Sequence, residues 1–354
     1  METLTVPRTP AETRTPAEIR AAAEAFRRDH PKARARNVAA GIGVSEAELL
    51  ATRCGEGVVR LRPPLQALLL ALEPLGPLMA LTRNDACVHE KTGVYDDADF
   101  APDATVGLFL GDPIDLRLFF RAWHLGFFVE EGGRRSFQFF DRDGTAVHKV
   151  YATAETDPAA MGALAARFAH EDQAPEQPVE PVAPAEERPD GAVDAGAFVA
   201  AWRALQDTHD FYRLLRAHGV SRRQALRLAQ REAPELARPV ARDAHRRVLG
   251  AAAESGLPIM VFTGSRGCVQ IHTGPVRRLV ETGPWYNVLD PGFSLHLNEA
   301  LVAEAFVVTK PTADGPVTAL ELFDAEGGLV VQFFGERKPG VPELPEWRSL
   351  AGAI

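Results

Sequence analysis

Cysteines and long apolar runs are both scarce in this chain of 354 residues. Its three cysteines, Cys54, Cys87 and Cys268, lie far apart and form no Cys-x-x-Cys pair. Neither a disulfide framework nor a zinc ribbon is therefore predicted. No run approaches the roughly 18 apolar residues of a membrane-spanning helix, and the first 16 residues contain no apolar signal-peptide core. We expect a reduced, cytoplasmic protein with no membrane insertion.

Basic residues are also fewer than acidic residues. The chain has 39 lysines and arginines against 48 aspartates and glutamates, which gives a formal net charge of −9. Binding to a nucleic-acid backbone needs a basic face that neutralises phosphates, so nucleic acid is not expected as a partner. The length suits two domains of about 150 to 200 residues each.

The sequence lacks the short motifs that mark the common enzyme classes. It has no glycine-rich dinucleotide loop after a strand, no Walker loop, no Gly-x-Ser-x-Gly elbow and no His-Glu-x-x-His. Its ten histidines do not cluster at metal-ligand spacing, so a multi-histidine metal site has no local support. Residue chemistry alone therefore leaves the function open.

An acidic, proline-rich segment divides the chain. Residues 171–192 contain five prolines, seven acidic residues and no aromatic residue. Such a composition cannot bury enough apolar surface to offset the entropy lost on ordering. We predict an extended, poorly ordered linker between an N-terminal domain, residues 1–170, and a C-terminal domain, residues 193–354.

Three blocks of sequence recur in the same order in both halves. Leu78 to Tyr95 aligns with Ile259 to Val276 through shared Met, Thr, Cys-Val and Thr-Gly. Phe137 to Tyr151 aligns with Leu320 to Phe334, and GVSEAELL aligns with GVSRRQAL. The chain is therefore predicted to contain two tandem homologous repeats.

Each repeat is predicted to begin with helices and to continue as strands. Thr15 to Glu18 forms a capping box with a proline at the first helical position, and the serine of each GVS block caps a further helix. Later, short runs rich in valine, phenylalanine and threonine alternate with turn-forming Gly-Gly, Asp-Gly and Glu-Gly-Gly sequences. Strands joined by tight turns pair antiparallel. The predicted fold class is α+β, with helices and a mainly antiparallel sheet in each repeat.

One histidine stands out in the second repeat. Phe198, Trp202, Leu205, His209 and Tyr212 recur at helical spacing, which places His209 on the apolar stripe of a predicted helix. A histidine there is either a partly buried side chain bonded to the backbone, or an axial ligand to a flat apolar cofactor whose acidic groups face nearby arginines. The spacing alone does not decide between these two readings.

Three longer sequences carry a family resemblance. GSRGCVQIHTGPV, TKPTADGPVTALELFDAEG and QFFGERKPG, together with the duplication, resemble the HemS/ChuS family of bacterial haemin-utilisation and haemin-degrading proteins. The resemblance covers both repeats and leaves out only the first residues and the acidic linker. It implies two stacked copies of an α+β unit, with haem (iron protoporphyrin IX) bound in a cleft on the C-terminal half.

The resemblance assigns individual site residues in the second repeat. The family's proximal iron ligand falls on His209, in THDFYRLL, and its basic residue that opens the next helix falls on Arg222, in GVSRRQA. Its distal arginine, the catalytic residue that the resemblance implies, falls on Arg337, in GERKPG, and a further basic residue falls on Lys310, in TKPTADG. Each of these cations could instead be an ordinary solvated or turn residue. With haem bound, they would pair with its two propionates.

The first repeat is implied to lend two residues to the cleft. These are Arg117 and Phe119, in DLRLFFRAW, although the same pattern fits an outer strand face and a core position. The position that aligns with His209 is Ala33, so this repeat lacks the same ligand. His89 is its candidate for a second haem ligand, or it is a strand-edge histidine that pairs with a neighbouring glutamate or solvent.

The resemblance implies a haem-binding protein of bacterial haem uptake and iron acquisition. It would carry haem, and it would also degrade haem oxidatively if supplied with dioxygen and a reductant. The reductant would have to be external, because the sequence shows no flavin or nicotinamide site. The alternatives are a pure carrier that delivers haem to a separate haem oxygenase, and a structural duplicated domain that binds no haem. The implied protein partners are a haem oxygenase or the ATPase complex of a haem importer.

Overall fold

The computed structural model describes residues 14–101, 103, 105–182, 186–338 and 340–354. Most of the N-terminal stretch used for the signal-peptide prediction therefore lies outside the described residues. Within the described ranges, every helix is too short or too polar to cross a membrane.

The N-terminal half contains five helices and nine strands among its described residues. The helices are α1 (Pro16–Asp29), α2 (Ala35–Ile42), α3 (Glu46–Ala51), α4 (Leu65–Leu69) and α5 (Pro158–Arg167). The strands are β1 (Val58–Arg60), β2 (Leu78–Arg83), β3 (Cys87–Gly93), β4 (Ala98–Phe100), β5 (Val106–Leu110), β6 (Asp115–Phe119), β7 (Leu125–Glu131), β8 (Arg134–Phe140) and β9 (Ala146–Ala152).

The C-terminal half contains the same numbers of elements in its described ranges. The helices are α6 (Ala195–Arg203), α7 (Asp210–His218), α8 (Arg222–Glu232), α9 (Ala244–Ser255) and α10 (Pro345–Gly352). The strands are β10 (Ala237–Val240), β11 (Ile259–Gly264), β12 (Cys268–Gly274), β13 (Leu279–Thr282), β14 (Trp285–Asp290), β15 (Phe293–Asn298), β16 (Glu304–Lys310), β17 (Val317–Phe323) and β18 (Leu329–Gly335).

The order of elements is the same in both halves. Each half runs through three helices, one strand, a fourth helix, eight strands and a last helix. All the strand pairs described below are antiparallel. The predicted α+β class and the predicted tandem repeat are therefore confirmed.

Local capping explains where several helices begin. The Thr15 side chain accepts a hydrogen bond from the backbone N–H of Glu18, and the Glu18 carboxylate accepts one from the backbone N–H of Thr15, as the predicted capping box requires. Ser45 forms the same box at α3. At α8, Ser221 caps the backbone N–H of Gln224 at 3.0 Å, but the Gln224 amide donates to the backbone of Arg188 instead of returning to the cap.

The chain folds into two compact units. Unit 1 contains the described residues between 14 and 82, those between 92 and 182, and residues 265–269. Unit 2 contains residues 83–91 and the described residues between 186 and 264 and between 270 and 354. The division follows the acidic segment except for two short stretches, because each unit includes a few residues from the other half of the chain.

In unit 1, five strands pair in the order β1-β7-β8-β9-β2, and β4, β5 and β6 form a second antiparallel run. The main core of the unit packs residues of α4 and α5 against strand residues such as Phe137 and Phe139. Cys268, from residues 265–269, is part of the same core. Cys268 is a small buried thiol, and burial raises its pKa to about 12.

In unit 2, five strands pair in the order β10-β16-β17-β18-β11, and a second run pairs β3, β15, β14 and β13. Helices α9 and α10 pack on one face of the first sheet, around Leu320 and Leu322. Helices α6, α7 and α8 pack on its other face, around Phe306 and Phe323. Strand β17 is consequently buried along its whole length.

The acidic segment contains no α-helix or strand among its described residues, as its composition predicts, but it is more firmly held than we predicted. In unit 1, the Gln173 side chain accepts from the backbone N–H of Arg60 at 2.8 Å and donates to the Arg60 carbonyl at 3.0 Å. In unit 2, Glu187 accepts hydrogen bonds from Ser221 and Arg227. The prediction counted only apolar burial, whereas this segment is held by polar contacts.

Candidate functional site

His209 does not lie on the apolar stripe that the sequence predicts. Helix α6 ends at Arg203, and His209 is the N-cap residue of the next helix, α7. Its side chain is 88% exposed, whereas α7 buries Phe211 and Leu214. The predicted single stripe is wrong because the helix breaks after Arg203, so the helical periodicity does not continue to His209.

Asp207 holds the His209 ring at one nitrogen. The Asp207 Oδ1 atom accepts the backbone N–H of His209 at 2.8 Å and lies 2.7 Å from the ring Nδ1. The His209 backbone N–H is the main cause that lowers the pKa of the Asp207 carboxyl; burial opposes it, and the His209 ring and Arg337 lower the pKa further. Among the described residues, no group bonds to the other ring nitrogen, Nε2, which is therefore available to a ligand.

Two of the predicted cations lie over the same buried ring. The Arg222 guanidinium is 5.4 Å from the ring centre of Phe211, and the Lys310 ammonium is 4.7 Å from it. These distances are within the range of cation–π attraction. Phe211 is in the first turn of the helix that His209 begins, so the helix that presents the imidazole also contacts both cations.

A fully buried carboxylate joins these cations. The Glu321 carboxylate accepts two hydrogen bonds from Arg222, one from Lys310 at 3.1 Å and one from Gln332 at 2.9 Å. Burial alone would raise the pKa of Glu321, but the charges of Arg222 and Lys310 lower it to about 2. Burial is also the main cause that lowers the pKa of Lys310, to about 8. Two cations around one anion leave this cluster with excess positive charge.

The first repeat has a buried ion pair of the opposite polarity, and its helix position aligns with that of Arg222. Glu46 aligns with Arg222 through the GVS blocks, and it pairs with Lys149, which aligns with Gln332. In unit 1 the helix residue is thus the anion, whereas in unit 2 the helix residue is the cation.

A half-buried apolar surface lies on the same face of the sheet as Glu321. Gln332 is opposite both Glu321 on β17 and Phe262 on β11, and Phe334 is opposite Met260. The rings of Phe262 and Phe334 are 5.0 Å apart, and Met260 and both phenylalanines are half-buried. This surface suits a flat apolar ligand whose acidic groups reach Arg222 and Lys310.

Arg337 lies just beyond β18 and is close enough to Asp207 to lower the pKa of that carboxyl. Its Nε atom is buried and has no hydrogen-bond partner among the described residues. Asp207 contacts Nδ1 of His209, the nitrogen that would point away from a bound iron. The distal role of Arg337 stays a prediction from the resemblance.

The two predicted residues of the first repeat belong to unit 1. On β6, Leu116 and Leu118 are buried, and Arg117 and Phe119 alternate with them on the outer face. Arg117 donates hydrogen bonds to the Asp115 carboxylate and to the backbone carbonyl of Leu116. Phe119 is 42% exposed, so it is available for contact and does not belong to the core.

His89 is not a surface ligand in this structure. Its side chain is fully buried in unit 2 and neither ring nitrogen has a hydrogen-bond partner among the described residues. It lies beside Phe293, on which the ring of His272 stacks, and Lys91 contacts the Nδ1 atom of His272 at 3.2 Å. Burial, with the charges of His272 and Lys91, lowers the pKa of His89.

The residues brought together in unit 2 fit a planar ligand that contains a metal. In the part of the chain that the structure describes, no group of three or more histidine, cysteine, aspartate or glutamate side chains could hold a metal ion. One imidazole nitrogen, such as Nε2 of His209, is enough to bind axially a metal that a planar ligand already holds.

Sequence reasoning missed Glu321, Phe211, Phe262 and Phe334. Glu321 lies between leucines in the sequence ALELF, a pattern that usually marks a solvent-facing strand residue. The one available signal for Glu321 was that the resemblance predicts two cations, Arg222 and Lys310, and no anion to pair with them. The phenylalanines gave no signal, because aromatic residues in strands are more often part of a core.

Comparison with known proteins identifies a family and several close relatives. A family model described as the haemin-degrading HemS.ChuX domain matches residues 43–168 and 219–354, one match in each repeat. The hemin transport protein HemS of Yersinia enterocolitica is 40% identical over 326 residues, which is 91% of this chain and 92% of that protein.

Solved structures match over nearly the whole chain. Holo-PhuS, a heme-binding protein from Pseudomonas aeruginosa, matches with a TM-score of 0.92 and 46% identity, over 96% of this chain and 99% of that chain. The heme-degrading enzyme ChuS from Escherichia coli O157:H7 matches with a TM-score of 0.88 and 36% identity, over 96% of this chain and 99% of that chain.

Proposed function

Because the chain belongs to the haemin-degrading HemS.ChuX domain family, we propose that it binds haem in unit 2 and serves bacterial haem utilisation. The family resemblance predicted from the sequence is thus confirmed. The observation that carries the proposal is the exposed His209 imidazole, held at Nδ1 and open at Nε2, on a helix that also contacts two cations.

His209 supplies the protein's bond to the haem iron in this proposal. A neutral imidazole binds iron through the nitrogen that carries no proton, and a hydrogen bond at the other nitrogen fixes which one that is. Asp207 provides that hydrogen bond at 2.7 Å. The high exposure of the His209 ring lets a large planar ligand approach without displacement of core residues.

The haem propionates meet the excess positive charge around Glu321. Arg222 and Lys310 each keep N–H groups that Glu321 does not occupy, since a guanidinium has five and an ammonium has three. A propionate that accepts from them gains charge-assisted hydrogen bonds. The half-buried Phe262 and Phe334 contact the apolar part of the macrocycle.

Haem is the cargo of the protein, and its degradation is a second, conditional activity. Trafficking needs a single protein ligand to the iron and a route by which haem can leave. His209 is the single ligand, and because its side chain is exposed, haem bound to it can leave without movement of core residues. Degradation uses the redox chemistry of the bound haem iron with dioxygen and needs an external reductant. The assignments of Arg337, Arg117 and Phe119 stay predictions, as do the cytoplasmic location and the protein partners.

A haemin titration of the purified protein tests the proposal. We expect a Soret band of histidine-ligated haem in the wild-type protein, and a shifted band with much weaker retention in His209→Ala. His218→Ala is the matched control, because His218 lies at the other end of the same helix, and it should bind as the wild type does. A wild-type spectrum in His209→Ala would refute the assignment of this ligand.

A further inference from the structure

The turn before α7 gives Asp207 a specific relation to the His209 ring. One carboxylate oxygen, Oδ1, contacts both the backbone nitrogen and the ring Nδ1 of His209, at 2.8 and 2.7 Å. The main-chain bond sets the position of the carboxylate, and the ring bond sets the orientation of the imidazole. An aspartate that bonds to the backbone two residues later is a stable local motif, so this contact does not depend on packing elsewhere.

Helix capping does not account for this arrangement. A capping side chain bonds to the backbone N–H groups of the second or third helical residue, whereas Asp207 bonds to the N-cap residue itself. The first turn is closed by backbone bonds instead, from Asp210 to the carbonyl of Asp207 and from Phe211 to the carbonyl of Thr208, each at 3.2 Å. The Asp207 carboxylate is therefore not the side-chain cap of α7.

We propose that Asp207 is a positioning residue for the iron ligand: its carboxylate keeps the proton of His209 on Nδ1 and makes Nε2 a stronger electron donor. The proposal rests on the proposed function, since it assumes that Nε2 of His209 binds haem iron. A carboxylate that accepts from a ligating histidine fixes the ring and increases the basicity of the ligand. A more basic axial ligand favours ferric over ferrous iron and makes the reduction potential more negative.

In this proposal the hydrogen bond between Asp207 and the His209 ring keeps haem from being degraded while it is transported. Haem held by a strongly donating imidazole stays ferric until a sufficiently strong reductant is present. Premature reduction in the presence of dioxygen would start degradation during transport. Asp207 thus sets the strength of the reductant that the protein requires.

The chain offers a matched control for this role. Asp210 is three residues further along, and its carboxylate pairs with Arg213 at 3.3 Å without contacting the ring of His209. Asp207→Asn removes the charge at the imidazole while it keeps the shape, whereas Asp210→Asn removes a charge of the same sign in the same turn. Asp207→Glu keeps the carboxylate on a longer side chain and should restore part of the wild-type behaviour.

Two measurements on the full-length haem complex test the proposal. We expect the midpoint potential of Asp207→Asn to be more positive than those of the wild type and Asp210→Asn. We also expect a lower iron–histidine stretching frequency in the Raman spectrum of the reduced protein. An unchanged potential and frequency in Asp207→Asn, with histidine ligation still visible in the Soret band, would overturn the proposal.

A measurement without haem separates this proposal from the function on which it rests. The tautomer of His209 can be read from the ¹⁵N shifts of its ring at about pH 8.5. The proton should lie on Nδ1 in the wild type and move mainly to Nε2 in Asp207→Asn. The same tautomer in both proteins would contradict the positioning role. Failure of the wild type to bind haem would instead contradict the proposed function.

Discussion

Glu321 and Arg222 form a two-point ion pair in which the carboxylate is fully buried. The Arg222 Nε atom donates to Oε2 at 2.7 Å, and its Nη2 atom donates to Oε1 at 2.6 Å. Lys310 donates to Oε1 as well, at 3.1 Å. The anion therefore determines where both cations of the candidate site lie.

We expect Glu321→Gln to be strongly destabilising. Removal of the anion leaves Arg222 and Lys310 as neighbouring uncompensated charges, and the loss of one partner of a buried pair typically costs about 3 to 5 kcal/mol. The measurement is urea unfolding followed by tryptophan fluorescence, to which Trp202 contributes from this region because its ring is 4.6 Å from Phe211. Glu326→Gln, an exposed change in the turn after β17, is the control and should alter the free energy of unfolding by less than about 0.5 kcal/mol. A Glu321→Gln protein as stable as this control would contradict the role given to the anion.

Haem affinity should decrease as the pH rises above about 8. Burial lowers the pKa of Lys310 to about 8, Glu321 partly reverses that effect, and Arg222 lowers the pKa further. The ammonium is charged below this pH and attracts a propionate, whereas above it the amine is neutral. Haem dissociation constants measured between about pH 7 and pH 9.5 test the prediction.

Two variants of Lys310 make that test specific. Lys310→Met should bind haem more weakly with little dependence on pH in this range. Lys310→Arg should stay charged throughout, because an arginine side chain keeps its proton well above pH 9.5. A pH dependence that persists unchanged in Lys310→Met would assign the titration to another group.

Acid should destabilise both units through their buried histidines. Burial lowers the pKa of His148 in unit 1 and of His272 in unit 2 to about 3. Between that value and the ordinary pKa of about 6.5, the unfolded chain takes up a proton that the folded chain does not. Each such histidine should therefore reduce the free energy of unfolding by up to about 1.4 kcal/mol for every pH unit below about 6.5.

The His148 network allows that prediction to be checked one residue at a time. His148 contacts Thr82 at 2.9 Å through Nδ1 and Tyr95 at 2.8 Å through Nε2, and all three side chains are buried. In His148→Asn, the acid dependence of unit 1 unfolding should become shallower, although the protein is less stable at neutral pH. His30→Asn, at the exposed end of α1, should leave the slope unchanged.

Degradation and transport can be distinguished by turnover in the presence of catalase. With an enzymatic electron donor, dioxygen and catalase, an enzyme should give a tetrapyrrole product and released iron. If the resemblance assigns Arg337 correctly, Arg337→Ala should lower this turnover by about 100-fold, as the loss of a hydrogen-bond donor to developing charge often does. Bleaching that catalase abolishes would show only coupled oxidation by peroxide, and the carrier function would stand alone.

The sequence predicts the fold well because its signals are repeated and local. Aligned blocks, capping serines and Asp-Gly turns each depend on neighbouring residues, and each recurs in both halves. His209 was placed wrongly for the same reason. Its neighbours Leu205 and Tyr212 keep helical spacing in the sequence, but α6 ends at Arg203 and α7 begins at Asp210. The spacing therefore does not continue through one helix, and His209 is exposed.

The site is less predictable because its contacts are distant in sequence. Arg222 and Glu321 are 99 positions apart and meet only when α8 packs on β17. Even the family resemblance named the cations without the anion that holds them. Physical pairing of this kind depends on the completed sheet, and no local pattern encodes it.

The composition of the two units has a consequence for synthesis on the ribosome. Unit 1 includes residues 265–269, whose Gly267 carbonyl accepts hydrogen bonds from the Phe119 backbone and from the Trp123 indole. These residues leave the ribosome long after the rest of unit 1, so an unfinished chain holds β6 without its last partner. In unit 2, in contrast, β3 has already been synthesised when its partner β15 is translated. The structure of unit 1 is therefore complete only after residues 265–269, in the second half of the chain, have been translated.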